Sequence, residues 1–275
     1  MRRFSPDFRL LLAGPLLVLL LLMALFSWAL APADPLRIDA RNILKSPSAQ
    51  HVLGTDQLGR DLLSRVIFGA RVSLGVAAAA VSVSSVFGSA LGLLAGERGG
   101  LLDASVGRLA DLVLAFPGLL LAVALAAVLG PSALNTVLAL SAAGWVPYAR
   151  LARTEARRVS SLDFVAAARA AGAARPRLVV RHLLPNVAAP LVVQATLHLA
   201  GAILAESALS FLGLGVPPPA PSWGSMLAGA RTHVLDAPHA VLAPAAAILA
   251  VVLATNVLGD ALVDRLDPAR RIRSA

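Results

Sequence analysis

Six stretches of this chain are too apolar to face water, and they constrain the fold before anything else does. Residues 10–30 carry no charged side chain, and a helix of about 20 apolar residues crosses the hydrocarbon of a bilayer. Further apolar stretches lie at 73–95, rich in Ala, Ser, Val and Gly; at 105–129, with Asp111 near its start and Pro117 inside; and at 134–149, short and bent by Pro147. The last two are 187–212, which contains Glu206, and 241–258. In lipid every backbone N–H and C=O must be bonded within the protein, and for segments like these the helix is the solution. The expectation is an all-α membrane protein with six transmembrane helices. With 58% of residues hydrophobic and 14% charged, the composition falls outside the range of soluble domains. For 10–30 the competing reading is a cleaved signal peptide, with Ala29 and Ala31 as a small-residue site. The run is long for that, and the paired Arg2 and Arg3 alone make a poor twin-arginine signal.

The charges orient these spans. The chain carries a formal net charge of +9. Arginines cluster in the head (Arg2, Arg3, Arg9), between Arg150 and Arg181, and in the tail (Arg265, Arg270, Arg271, Arg273), whereas the 213–238 loop has Arg231 alone. With six spans all three basic regions fall on one side, which the positive-inside rule makes the cytoplasm. The 31–72 region also bears arginines, but long translocated loops weigh little in that rule. The expected order is a cytoplasmic head at 1–9, a first helix at 10–30 and an external region at 31–72. A five-helix core follows at 73–260, with a cytoplasmic loop at 150–186, then a cytoplasmic tail at 261–275. Nucleic acid is not an expected partner, because aromatic stacking platforms are scarce at 4% aromatics. The lipid bilayer is.

The 150–186 loop has structure of its own. It holds Arg150, Arg153, Arg157, Arg158, Arg169, Arg175, Arg177 and Arg181 against Glu155 and Asp163. Ser160 or Ser161 can cap a short helix there, Asp163 suits its first turn, and Gly172 can supply a left-handed stop. Phe164, Val165 and Ala168 share one side of that helix. Such a helix fits a groove in another protein; an amphipathic loop lying on the membrane is the competing reading.

The run FVAAARAAG, followed by Pro185 and Asn186, resembles the cytoplasmic signature loop of ABC importer permeases. That signature is EAA, three residues, Gly, nine residues, Ile, any residue, Leu, Pro. Ala167, Ala168, Gly172, Leu184 and Pro185 match it; Ala166 stands in place of the glutamate and His182 in place of the isoleucine. The segment from Gly54 to Asp61 (Gly54, Thr55, Asp56, Gly59, Arg60, Asp61) resembles the start of the second helix in the dipeptide, oligopeptide and nickel branch. AGAILAESALSFLGLGVPPPAPSWGSML resembles the branch's fifth helix and following loop, and GDALVDRLDPAR its tail. The resemblance implies a type I ABC importer permease fold. It also implies a second, related permease, two cytoplasmic ATPase subunits, an external binding protein, and a location in the bacterial inner membrane. The implied cargo is di- or oligopeptides, with nickel complexes or another small solute as the alternative. It further implies that Asp163, Phe164, Val165, Ala167, Ala168, Gly172, Pro185 and Asn186 couple the chain to the ATPases.

Chemistry within the chain is sparse. Glu206 is a carboxylate in an apolar span; it either lines a pathway or gate, or bonds a neighbouring helix. Asp56 and Asp61 lack the further ligands of a metal site and suit an Asp- and Arg60-stabilised turn. Asp260, Asp264 and Asp267 share a helix face, but the nearby arginines suit a charged helix end better than a metal. Pro217, Pro218, Pro219 and Trp223 suggest a stiff loop at the outer interface, either a lid or a plain connector. The chain has no cysteine, no G-x-S-x-G elbow and no phosphate-binding G-x-x-x-x-G-K-[ST] loop. It is expected to be a non-catalytic transport subunit without a cofactor, with ATP and Mg bound by partners. A secondary transporter would call for an internal repeat, and none is evident.

Overall fold

The computed structural model describes residues 6–266, with side chains from 14 to 265. The head arginines Arg2 and Arg3, and Asp267, Arg270, Arg271 and Arg273 of the tail, lie outside the described residues. Everything regular within them is helical, and the only strand-like feature is an isolated bridge between Thr55 and Asp61.

The first apolar stretch is broken at Phe26 into α1 (Pro6–Leu25) and a single turn, α2 (Ser27–Leu30). α3 (Leu62–Arg98) begins well before the expected position near Ser73. The reason is Asp61, whose carboxylate caps the helix by accepting the Ser64 N–H at 2.8 Å. The stretch expected as one span at 105–129 is two helices, α4 (Gly100–Leu114) and α5 (Gly118–Leu129), meeting at 85°. Pro117 stands at that corner, where it has no N–H to give and bars the helical conformation to Phe116 before it. α6 (Ala133–Ser160) starts at a Ser132 cap and passes Pro147 without breaking. It runs on to Ser160, so the segment expected as a loop from 150 opens inside a helix. α7 (Asp163–Ala170) follows, then the short α8 (Arg175–Leu178). A π turn at Val179–Leu183 joins α8 to α9 (Leu184–Phe211) in one rod. α10 (Trp223–Ala230) and α11 (Pro238–Leu266) complete the chain.

Six spans are not what length and hydropathy give. Among the described residues three helices are long and apolar enough to cross a membrane: Leu62–Arg98, Arg175–Phe211 and Pro238–Arg265. The bent α4–α5 pair makes a fourth if it is one span. α6 is long enough, but Asn135, Thr136, Pro147 and Tyr148 dilute its apolar part and arginines follow from Arg150. The apolar part of α1 within the described side chains, Gly14–Leu25, is short.

The closest packing is between α3 and α6, which run parallel. Gly88, Gly92 and Gly96 recur every four residues along α3 and face Trp145, Ala149 and Arg153 of α6. A Cβ on Gly92 would sit 2.3 Å from the Ala149 carbonyl oxygen, and one on Gly88 the same distance from that of Trp145. Small residues let helix backbones meet this closely where lipid supplies no hydrophobic drive. Buried Ala149, Ala152 and Ala156 complete the seam.

At the other end of α3, residues 31–61 form a bonded shell. The Asp56 carboxylate takes the Arg60 Nε–H at 2.7 Å and the Leu58 N–H at 2.9 Å, with Arg65 Nε at 3.1 Å. Asp61 also meets His51 Nδ1 at 2.9 Å, and the Arg65 guanidinium donates to the Pro35 carbonyl. The turn expected from Asp56, Asp61 and Arg60 is therefore present. Nearby, the exposed Asp39 accepts the Arg41 N–H, which holds its carboxyl below the usual range. Trp223, expected at an outer interface, is fully buried instead. Its indole donates to the Val66 carbonyl at 3.0 Å and its ring stacks over Gly69, so α10 is wedged beside α3. A capping box between Ser222 and Ser225 starts that helix.

Candidate functional site

α7 is eight residues long, too short to be stable alone, so its order depends on packing. Val165 supplies that packing. It is fully buried in a cluster with Val159, Leu178, Leu183 and Val187 of its own chain. Ala168 packs partly against the same cluster. Phe164, one residue earlier, turns outward and is 44% exposed, its ring 6.3 Å from that of His182. The pair expected to face a partner together is thus divided: Val165 fastens α7 to its own chain, while Phe164 and Leu162 turn outward. The two side chains are about 100° apart around a helix, which accounts for the division.

The ends of α7 also differ from expectation at one side and agree at the other. Leu162, not a serine, is the N-cap, and no side chain caps the helix; the Ser161 hydroxyl donates back to the Arg158 carbonyl at 2.8 Å. At the C-terminus Gly172 has φ +82°, the left-handed value, with the Gly172 N–H bonded to Arg169 and the Ala173 N–H to Ala168. This pair of bonds is the Schellman ending. Asp163, Ala167 and Gly172 are exposed. Pro185 lies in the first turn of α9, and the Asn186 amide donates to the His182 carbonyl at 2.7 Å.

The arginines are less solitary than the local sequence suggests. Asp103 of α4 pairs with both Arg153 and Arg157, and Asp111 with Arg150 at 2.6 Å. Arg158 meets Glu155 at 2.8 Å, and Arg175 approaches the Glu97 carboxylate at 4.0 Å. The acidic partners from α4 are not evident locally because they lie 39 to 54 residues upstream. Their spacing of eight on one helix face was the available signal.

Glu206 is fully buried. It accepts from the Ser210 hydroxyl at 2.7 Å, with Ser207 at 3.5 Å, both on its own helix, and Ser73 of α3 lies nearby. Ser73 in turn accepts the Trp223 N–H at 3.2 Å. Glu206 thus sits beside α3 and the start of α10 with its own hydrogen bonds kept inside α9. Asp260 is exposed, and among the described residues no three His, Asp or Glu side chains are grouped to hold a metal.

Comparison with known proteins adds an independent line. The model of the family described as "binding-protein-dependent transport system inner membrane component" matches residues 88–272. The dipeptide transport system permease protein of Alkalihalophilus pseudofirmus is 42% identical over 248 residues, 90% of this chain and 82% of that protein. The di/tripeptide transport system permease protein of Pseudomonas aeruginosa is 47% identical over 263 residues, 93% of this chain and 87% of that one. A glutathione transport system permease protein of Escherichia coli is 41% identical over 268 residues, 97% and 88% of the two chains.

Proposed function

The chain belongs to the family of binding-protein-dependent transport system inner membrane components, and from that premise we propose that it is the permease subunit of an ATP-driven importer of short peptides. The observation that carries the cargo is the 47% identity to a di/tripeptide permease across 93% of the chain. In this reading it crosses the bacterial inner membrane six times, with both ends cytoplasmic. α1 and α6 then join the three long apolar helices and the bent pair as spans, held in lipid by packing on neighbours. A second permease completes the pathway, two ATPase subunits bind ATP and Mg, and an external protein delivers the peptide. This chain binds no cofactor and catalyses no reaction.

The arrangement around α7 supports a coupling step. Phe164 and Leu162 enter a groove of an ATPase subunit, while Val165 passes the movement to α6 and α9 through their shared cluster. A rigid helix fixed on one side and gripped on the other transmits displacement, and two packings of the permease pair give it two states to choose between. The test is uptake of labelled dialanine by cells with and without the chain, and co-purification of an ATPase subunit with it. Uptake is expected to vanish without the chain. Unchanged dialanine uptake with lost nickel uptake would instead select the nickel alternative.

A further inference from the structure

A cavity of about 290 Å³ opens between α3, α5, α6 and α9, and it has a polar spot in an otherwise apolar lining. Small residues make most of the wall, Ala80, Ala122, Gly144 and Gly201 among them. That alone would be ordinary helix packing. The Ser84 hydroxyl is different: Ser84 is 1% exposed, lines the cavity, and its oxygen has no hydrogen-bond partner among the described residues. A buried hydroxyl left unbonded is costly, so it signals a partner absent from the chain itself.

His198 lines the same cavity. A methyl group built on Gly144 would be 2.8 Å from Ser84 Oγ and 3.4 Å from His198 Nε2, so the two polar groups flank one point. The far side of the imidazole is fixed: Nδ1 lies 3.0 Å from the hydroxyl of Tyr148, which is fully buried. Among the described residues that tyrosine meets no other acceptor for its proton, so it donates to Nδ1. Neutral His198 then carries its own proton on Nε2 and presents a donor to the cavity. The site therefore offers one N–H donor and one hydroxyl able to accept, beside small apolar walls and with no charged side chain.

We propose that this cavity is a transient station on the transport path that holds the peptide amide, with His198 Nε2–H on its carbonyl and Ser84 Oγ accepting its N–H. The small residues around it take the adjoining side chain. No lining residue is charged, so the peptide's termini find no ionic partner here, which suits a passing hold and not a tight one. This rests on the reading of the chain as a peptide permease.

Two variants in the assembled transporter test it. Ser84→Ala removes a hydroxyl that bonds nothing in the chain, so thermal stability is expected to hold. Gly201→Leu fills the cavity from a position where an added Cβ meets nothing within 4 Å. Dialanine uptake by Ser84→Ala should fall about two- to ten-fold, the worth of one hydrogen bond. Gly201→Leu should cut uptake of dileucine at least ten-fold more than that of diglycine. Parental uptake of all three peptides by both stable variants would overturn the station and leave the peptide function standing. Failure of the unaltered transporter to take up any of them would overturn both.

Discussion

The glycine seam between α3 and α6 makes the sharpest prediction, because one helix holds both the test and its control. At Gly92 a new Cβ would lie 2.3 Å from the Ala149 carbonyl oxygen, where ordinary contact begins at 3.4 Å. The helices must therefore separate by about 1 Å. A gap of that size forfeits roughly a quarter to a half of each dispersion contact along the seam, and overpacking of this kind costs about 1–3 kcal/mol. Alanine offsets part of this, since it is better than glycine within a helix by about 0.5–1 kcal/mol. Gly92→Ala is expected to lose about 1–2 kcal/mol net, and Gly92→Leu more. Gly75 lies on the same helix with nothing within 4 Å of an added Cβ, so Gly75→Ala gains the helical preference without the clash. Thermal unfolding of the purified complex in detergent should show Gly92→Ala several degrees below the parent and Gly75→Ala at or slightly above it. Equal melting of the two alanine variants would refute the argument that close backbone approach, not helical preference, dictates glycine at the seam.

Other expectations follow from α7, Glu206 and the proposed topology. Phe164→Asp should leave insertion and melting unchanged while abolishing substrate-stimulated ATP hydrolysis, because a charge would meet an apolar groove. Val165→Asp, by contrast, should lower the melting temperature of the chain by burying a charge in its own cluster; a pattern with the two variants exchanged would reverse the assignment of faces. Glu206→Gln keeps the Ser210 contact and should leave folding intact with at most a few-fold change in uptake, whereas Glu206→Leu should destabilise the chain by about 1–3 kcal/mol through the unsatisfied hydroxyls. Abolished uptake by a stable Glu206→Gln variant would assign it the pathway role. Single cysteines at Ser48 and Leu235 should label with an impermeant thiol reagent from outside intact cells, and one at Ser161 should not; outside labelling at Ser161 would overturn the topology.

What the sequence made legible was whatever depends on neighbours in the chain. Gly172 as a left-handed stop, Asp61 and Arg60 in a turn, and the apolar identity of α3, α9 and α11 are all of this kind. Harder to read was whatever depends on distant residues. Asp103 reaches Arg153 across fifty positions, and Trp223 is buried because Gly69 leaves room for its ring. Phe164 and Val165 look equivalent as adjacent apolar residues, and only the cluster from α6, α8 and α9 decides which one faces inward. The α4–α5 corner was signalled by Pro117, but a proline also sits inside α6 and α9 without breaking them. Its effect depends on whether neighbouring packing holds the helix straight.

Laminated along three glycines, α3 and α6 behave as a single beam. The beam is about 55 Å long, taking 37 residues at 1.5 Å each. One end carries the bonded shell of residues 31–61; the other leads through Ser161 and Leu162 into α7. A beam cannot bend locally without prising the seam apart, so a tilt begun at α7 arrives at the shell as a displacement scaled by length. In the proposed orientation, a fluorophore on an exposed shell residue such as Val52 would then read, from the periplasmic side, strokes delivered at the cytoplasmic face.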